Sequence, residues 1–128
     1  MRRAILIGVG VVTVLSTVVL VPLLAGGNST ARKVVVVARD MSFRLPGQAA
    51  ENPVIRVEKG ETIQLVLQND DDGIKHDLAV PEWGVSVDEL PSGTSSVVSV
   101  RVPDKPGRVE YICKRHGVMM KGIIEVGG

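Results

Sequence analysis

From residue 33 to the carboxyl end of this 128-residue chain, no stretch places apolar residues at helical spacing over any useful length. Short runs rich in Val and Ile alternate instead with Gly, Pro, Asn and Asp, and this pattern restricts the chain to strands and turns. The runs fall at 34–38, 41–45, 54–57, 62–67, 76–80, 97–102, 109–113 and 123–126, while 81–93 reads as a loop. Only Phe43, Trp83 and Tyr111 are aromatic, so the core must be built from Val, Ile and Leu, whose branched side chains suit a pleated surface. Seven or eight short strands at this spacing predict an all-β fold, a Greek-key β-sandwich or barrel.

The amino end is different. Met1-Arg2-Arg3 precedes an apolar, uncharged run from Ala4 to Ala25. As a helix its 22 residues would span about 33 Å, close to the ~30 Å hydrocarbon thickness of a bilayer. We expect one hydrophobic helix here and divide the chain into a signal-anchor or signal peptide (1–27), a linker (28–32) and a globular domain (33–128). The length favours a retained anchor over a cleaved signal, although Ala25-Gly26-Gly27 offers small residues for cleavage. Arg2 and Arg3 orient the run with its start in the cytoplasm. The domain is thus expected outside, tethered to the membrane on the periplasmic or extracellular side, or soluble in the periplasm after cleavage.

About 100 residues suffice for one core and not for a second domain. Setting aside Arg2 and Arg3 leaves 13 basic against 14 acidic residues, with no basic run to bind nucleic acid. The single Cys113 excludes both an internal disulfide and a site needing several thiolates. That cysteine lies in the most informative segment, Tyr111 to Val126, which places Cys113, His116, Met119 and Met120 within eight residues. A thiolate, an imidazole and a thioether suit copper, and two histidines, one cysteine and a weak axial methionine form an electron-transfer copper site. The second histidine can only be His76, the one other histidine in the chain. Taken singly, His76 reads as a hydrogen-bonded surface histidine and Cys113 as a small buried hydrophobe. Taken jointly, Cys-x2-His closing one strand, Met-x-Gly opening the next and a histidine opening an earlier strand make a restrictive pattern.

At these residues the chain resembles the cupredoxins, the blue copper proteins. The resemblance extends to Val57-x-x-Gly60-x-Thr62-x-x-Leu65, Asn69, Pro106-Gly107, Tyr111-x-Cys113 and Gly122-x-Ile124-x-Val126. It implies a Greek-key sandwich holding one type 1 copper ion, with His116 as the solvent-facing edge inside an apolar patch including Gly117 and Val118. Two departures stand out. Asp77 replaces the asparagine that commonly follows the strand histidine, keeping acceptors and losing the amide donor. Lys114 and Arg115 bring positive charge close to the site, which is expected to favour the reduced ion and an acidic partner. The family's spacings allow either Met119 or Met120 as axial ligand. Strand register favours Met120, which shares a face with Gly122, Ile124 and Val126, leaving Met119 the alternative. The stretch from His76 to Val85 is also similar to the dinuclear copper domain of cytochrome c oxidase subunit II, but one cysteine cannot bridge two coppers.

The resulting expectation is a monomeric carrier of single electrons between redox proteins of cytochrome or oxidase type. The alternative is a copper chaperone or store that delivers Cu(I) to an oxidase. No open metal triad, carboxylate pair or Ser/His/Asp set can be assembled, so no enzyme is expected.

Overall fold

The computed structural model describes residues 30–128, and the expected amino-terminal helix lies outside them. Among the described residues no helix is long and apolar enough to cross a membrane. Nine strands form two sheets: β1 (Arg32–Arg39), β2 (Ser42–Arg44), β3 (Ile55–Glu58), β4 (Thr62–Asn69), β5 (His76–Val80), β6 (Val85–Leu90), β7 (Ser95–Arg101), β8 (Gly107–Ile112) and β9 (Lys121–Gly127). One sheet has the order β2-β1-β4-β7 and the other β3-β9-β8-β5-β6. The β1/β4 and β3/β9 pairs run parallel and the remaining pairs antiparallel.

Period-2 burial explains why these segments are strands. In β1 the buried side chains are Val34, Val36 and Ala38, and in β4 Ile63, Leu65, Leu67 and Asn69. The parallel register sets Val34 beside Leu65, Val36 beside Leu67 and Ala38 beside Asn69, so the two strands present one continuous face. Ile55, Val57, Leu78, Val80, Ile124 and Val126 cover it from the other sheet.

The expectation of a loop across 81–93 needs correction. Pro81–Trp83 is a single 3-10 turn closed by Gly84 in the left-handed region, and Val85–Leu90 is a strand at the edge of the five-stranded sheet. Its alternation is weak because an edge strand with one open face buries only Val87 fully.

Strand β5 is buried at all five positions. It pairs closely with β6 but meets β8 in register only at Ala79 and Ile112. Beyond that point β8 leaves the ladder. The Asp77 carboxylate takes over, accepting the Lys114 N–H at 2.7 Å.

Candidate metal centre

The parting of β5 and β8 makes room for the side chains that the sequence singled out. His76 enters from the 70–75 loop, which Asn69 organises from a fully buried position. The Asn69 amide donates to the carbonyls of Ile74 at 2.7 Å and Leu90 at 2.9 Å, and its oxygen accepts the Asp71 N–H at 3.0 Å. The loop between β8 and β9 is closed on itself. Cys113 N–H donates to Met120 O at 3.0 Å, His116 N–H to Cys113 O at 3.1 Å, and Met120 N–H to His116 O at 2.8 Å. Asn52, at φ 45°, clamps this loop from outside by donating to Met119 O at 2.9 Å while its side-chain oxygen accepts Phe43 N–H at 3.0 Å.

These supports bring His76, Cys113 and His116 together, with one ligand atom from each lying within 4.8 Å of the others. Cys113 Sγ is 3.5 Å from His116 Nδ1 and 3.9 Å from His76 Nδ1. The imidazoles meet edge to face, with centroids 5.1 Å apart. Metal bonds of about 2.3 Å to sulfur and 2.0 Å to nitrogen separate the two donors by about 3.5–3.9 Å at angles of about 110–130°. The two sulfur–nitrogen distances therefore suit donors that share one metal ion. With one thiolate and two imidazoles as strong donors, the set matches the soft copper class.

His76 and Cys113 are fully buried and His116 is partly exposed. Met120 is also fully buried, whereas Met119 is 58% and its neighbour Val118 94% exposed. Asp77 performs with its carboxylate the loop-tying task expected at that position, which here requires an acceptor only. Arg115 is not a free cation: its guanidinium pairs with the Glu89 carboxylate, which Lys75 also approaches at 3.7 Å. The positive field expected at this end is thereby weakened.

Asn52 was not anticipated from the sequence, and neither was a second participant, Asp71. The Asp71 carboxylate, 7% exposed, lies 2.7 Å from His76 Nε2. Burial pushes the carboxyl up, but bonds from the Met41 amide, His76 and the Asp40 amide outweigh it and hold the group below its usual value. Asp70, Asp71 and Asp72 form an acidic triplet in which only the folded loop distinguishes the middle member. Two residues before Cys113, Tyr111 donates from its hydroxyl to Pro53 O at 2.6 Å, and burial drives its phenol above the ordinary range.

No protein-family model matches the sequence, and no curated protein matches it. Solved structures do. Auracyanin B superposes with a TM-score of 0.62 at 20% identity, covering 77% of this chain and 90% of its own. Auracyanin A, a "blue" copper protein from the bacterium Chloroflexus aurantiacus, gives 0.61 at 12% identity over 76% and 99%. Rusticyanin from Thiobacillus ferrooxidans gives 0.59 at 20% identity over 74% and 76%. At such identities the likeness is one of fold, and that fold is cupredoxin-like.

Proposed function

We propose that this chain is a mononuclear type 1 copper protein that carries single electrons at the outer face of a membrane. The observation that carries this reading is the convergence of His76 Nδ1, Cys113 Sγ and His116 Nδ1 beside the buried Met120. A bound copper ion would supply one-electron exchange between Cu(I) and Cu(II). The chain's own part is to hold the donors still and keep water out. His76 and Cys113 are sealed in the interior, and the loop from Cys113 to Met120 is fixed by its own backbone bonds. Met120, on the buried side, would be the fourth residue to hold the ion, and Met119 is exposed.

His116 is the one member of the trio with an accessible edge, and Val118 and Met119 stand exposed beside it. A donor or acceptor redox protein of cytochrome or oxidase type would approach there. The auracyanin and rusticyanin folds support a carrier, and the uncharged run from Ala4 to Ala25 supports attachment at, or export across, a membrane. Copper delivery by ligand exchange would require an accessible thiolate, and Cys113 is fully buried. The test is to load the full chain with Cu(II) and record visible and paramagnetic-resonance spectra. A strong thiolate band near ~600 nm with narrow copper hyperfine splitting is expected of this ligand set. A colourless Cu(II) form that hands Cu(I) to an acceptor would instead establish a chaperone.

A further inference from the structure

We propose that Asp71 is a positioning residue for the metal centre, holding His76 with Nδ1 toward the site and biasing the centre toward the oxidised ion. The inference rests on the copper reading above. An ionised carboxylate can only accept, so at 2.7 Å from Asp71 Oδ2 the His76 Nε2 carries a proton, and Nδ1, on the Cys113 Sγ side, is the nitrogen left to bind a metal. Metal-binding imidazoles generally donate their second N–H to a carboxylate, a carbonyl or water, and the acceptor sets the basicity of the ring. A carboxylate is the most electron-releasing of the three.

The surroundings of Asp71 are built to keep it charged and aimed. Its Oδ1 accepts the Asp40 N–H at 2.5 Å and its Oδ2 the Met41 N–H at 3.0 Å. Asp40 and Met41 form the two-residue turn between β1 and β2, both in the left-handed region at φ 53° and 54°. Such hairpin turns favour Asn-Gly, and a non-glycine residue in this region costs about 1 kcal/mol. Bonds from both amides to a buried anion offset that cost, as in other anion-binding nests. The neighbouring acids are turned elsewhere: Asp70 pairs with Arg39 at 2.9 Å, and Asp72 is exposed.

Charge placement decides the sign of the effect. Lys114 and Arg115 are exposed, so solvent and salt screen them, and Arg115 is paired with Glu89. Asp71 touches a candidate ligand inside the protein, where the effective dielectric is low. Its negative charge therefore outweighs the exposed cations and favours the higher charge on the metal.

The experiment compares the copper-loaded full chain with Asp71→Asn by spectroelectrochemistry. The ratio of Cu(II) to Cu(I) affinity is expected to fall at least tenfold, read as a rise of about 59 mV in the one-electron potential. A change below twofold, or a fall in potential, overturns the inference, even if the variant is less stable. A second measurement needs no variant: the 15N and proton spectra of the Zn(II)-loaded wild type. A slowly exchanging, far-downfield Nε2 proton on His76 supports the inference, and a ring protonated at Nδ1 overturns it, so these spectra decide if Asp71→Asn does not fold. A wild type with no blue band overturns the copper reading and this inference together. A blue wild type whose potential is unmoved by Asp71→Asn overturns this inference alone.

Discussion

Gly122→Ala is the sharpest test of how the β8–β9 pair is packed. Gly122 lies directly across the β8–β9 ladder from Tyr111, and a Cβ there would stand 2.4 Å from the Tyr111 Cζ and hydroxyl oxygen. Ordinary contact begins near 3.4 Å, so the ring must retreat by about 1 Å. It has nowhere to go: Tyr111 is 1% exposed, packs against Phe43 at 5.4 Å between centroids, and is tethered by its hydroxyl to Pro53 O. Overpacking costs about 1–3 kcal/mol and a broken buried hydrogen bond about 1–3 kcal/mol more. The lower unfolded-state entropy of alanine returns only about 0.4–1 kcal/mol. The net loss is therefore about 3 kcal/mol, which for a domain of this size lowers Tm by roughly 12–24 °C. The assay is thermal and urea unfolding of the metal-free protein, so that bound metal does not mask the change. Tyr111→Phe supplies the control. It loses only the hydroxyl bond, and the double variant should fall short of the sum of the singles by about 1–3 kcal/mol, because that bond is lost once. A Gly122→Ala loss under 1 kcal/mol, or strict additivity, would refute the reasoning.

Three further outcomes are expected. Asn69→Ala leaves the carbonyls of Ile74 and Leu90 and the Asp71 amide without their partner; unfolding should show a loss of about 3 kcal/mol, and competition titration weaker metal binding. Met120→Leu, a volume-conserving change at a fully buried position, should cost under ~1.5 kcal/mol of stability yet alter the visible spectrum and potential, whereas Met119→Leu should leave both unchanged. The Glu61 carboxyl is held below its ordinary value of 4.5, first by the hydrogen bond from the Arg32 guanidinium. A depressed carboxyl stabilises the fold above its unfolded value and loses that contribution as pH falls through the folded one. Glu61→Gln should thus lower stability slightly near pH 7, by ~0.2–1 kcal/mol for so exposed a pair, with the difference from wild type vanishing on acidification in urea melts.

Most strands were legible as short β-branched or alternating runs between turn residues, such as Val34-Val35-Val36 and Ile63-Gln64-Leu65. Strand β6 was not, because Pro81, Gly84, Pro91 and Gly93 crowd its ends and only Val87 is fully buried. The parallel pairings of β1 with β4 and β3 with β9 leave no mark in sequence, since apolar alternation carries no direction. At the centre, residue chemistry made His76, Cys113 and His116 candidates from so small a stock of sulfur and imidazole. Met120 sits in the turn before β9, outside the strand itself, yet the parity of Ile124 and Val126 extends back to it. Asp71 and Asn52 could not be read in this way. Their roles depend on partners 31 and 67 residues distant, Asp40 and Met119, which only the folded chain brings near.

Those two unanticipated residues bear on why the centre can be rigid. The segments that carry the donors are held by bonds that owe nothing to a metal: His76 by Asp71, the Cys113 amide by Met120, the His116 amide by Cys113, and the loop between them and Met120 by the Asn52 bond to the Met119 carbonyl. Apolar packing fixes the strands from which they project. Donors restrained in this way would follow a change in metal charge only a short distance, which is what the proposed single-electron exchange would require. The same packing seals Cys113 and leaves His116 partly exposed beside Val118 and Met119, where the proposed partner would approach. Placement of the anion follows the same logic. A carboxylate at the exposed edge would be screened, whereas Asp71, buried behind His76, stands where the proposed effect on the centre would be screened least.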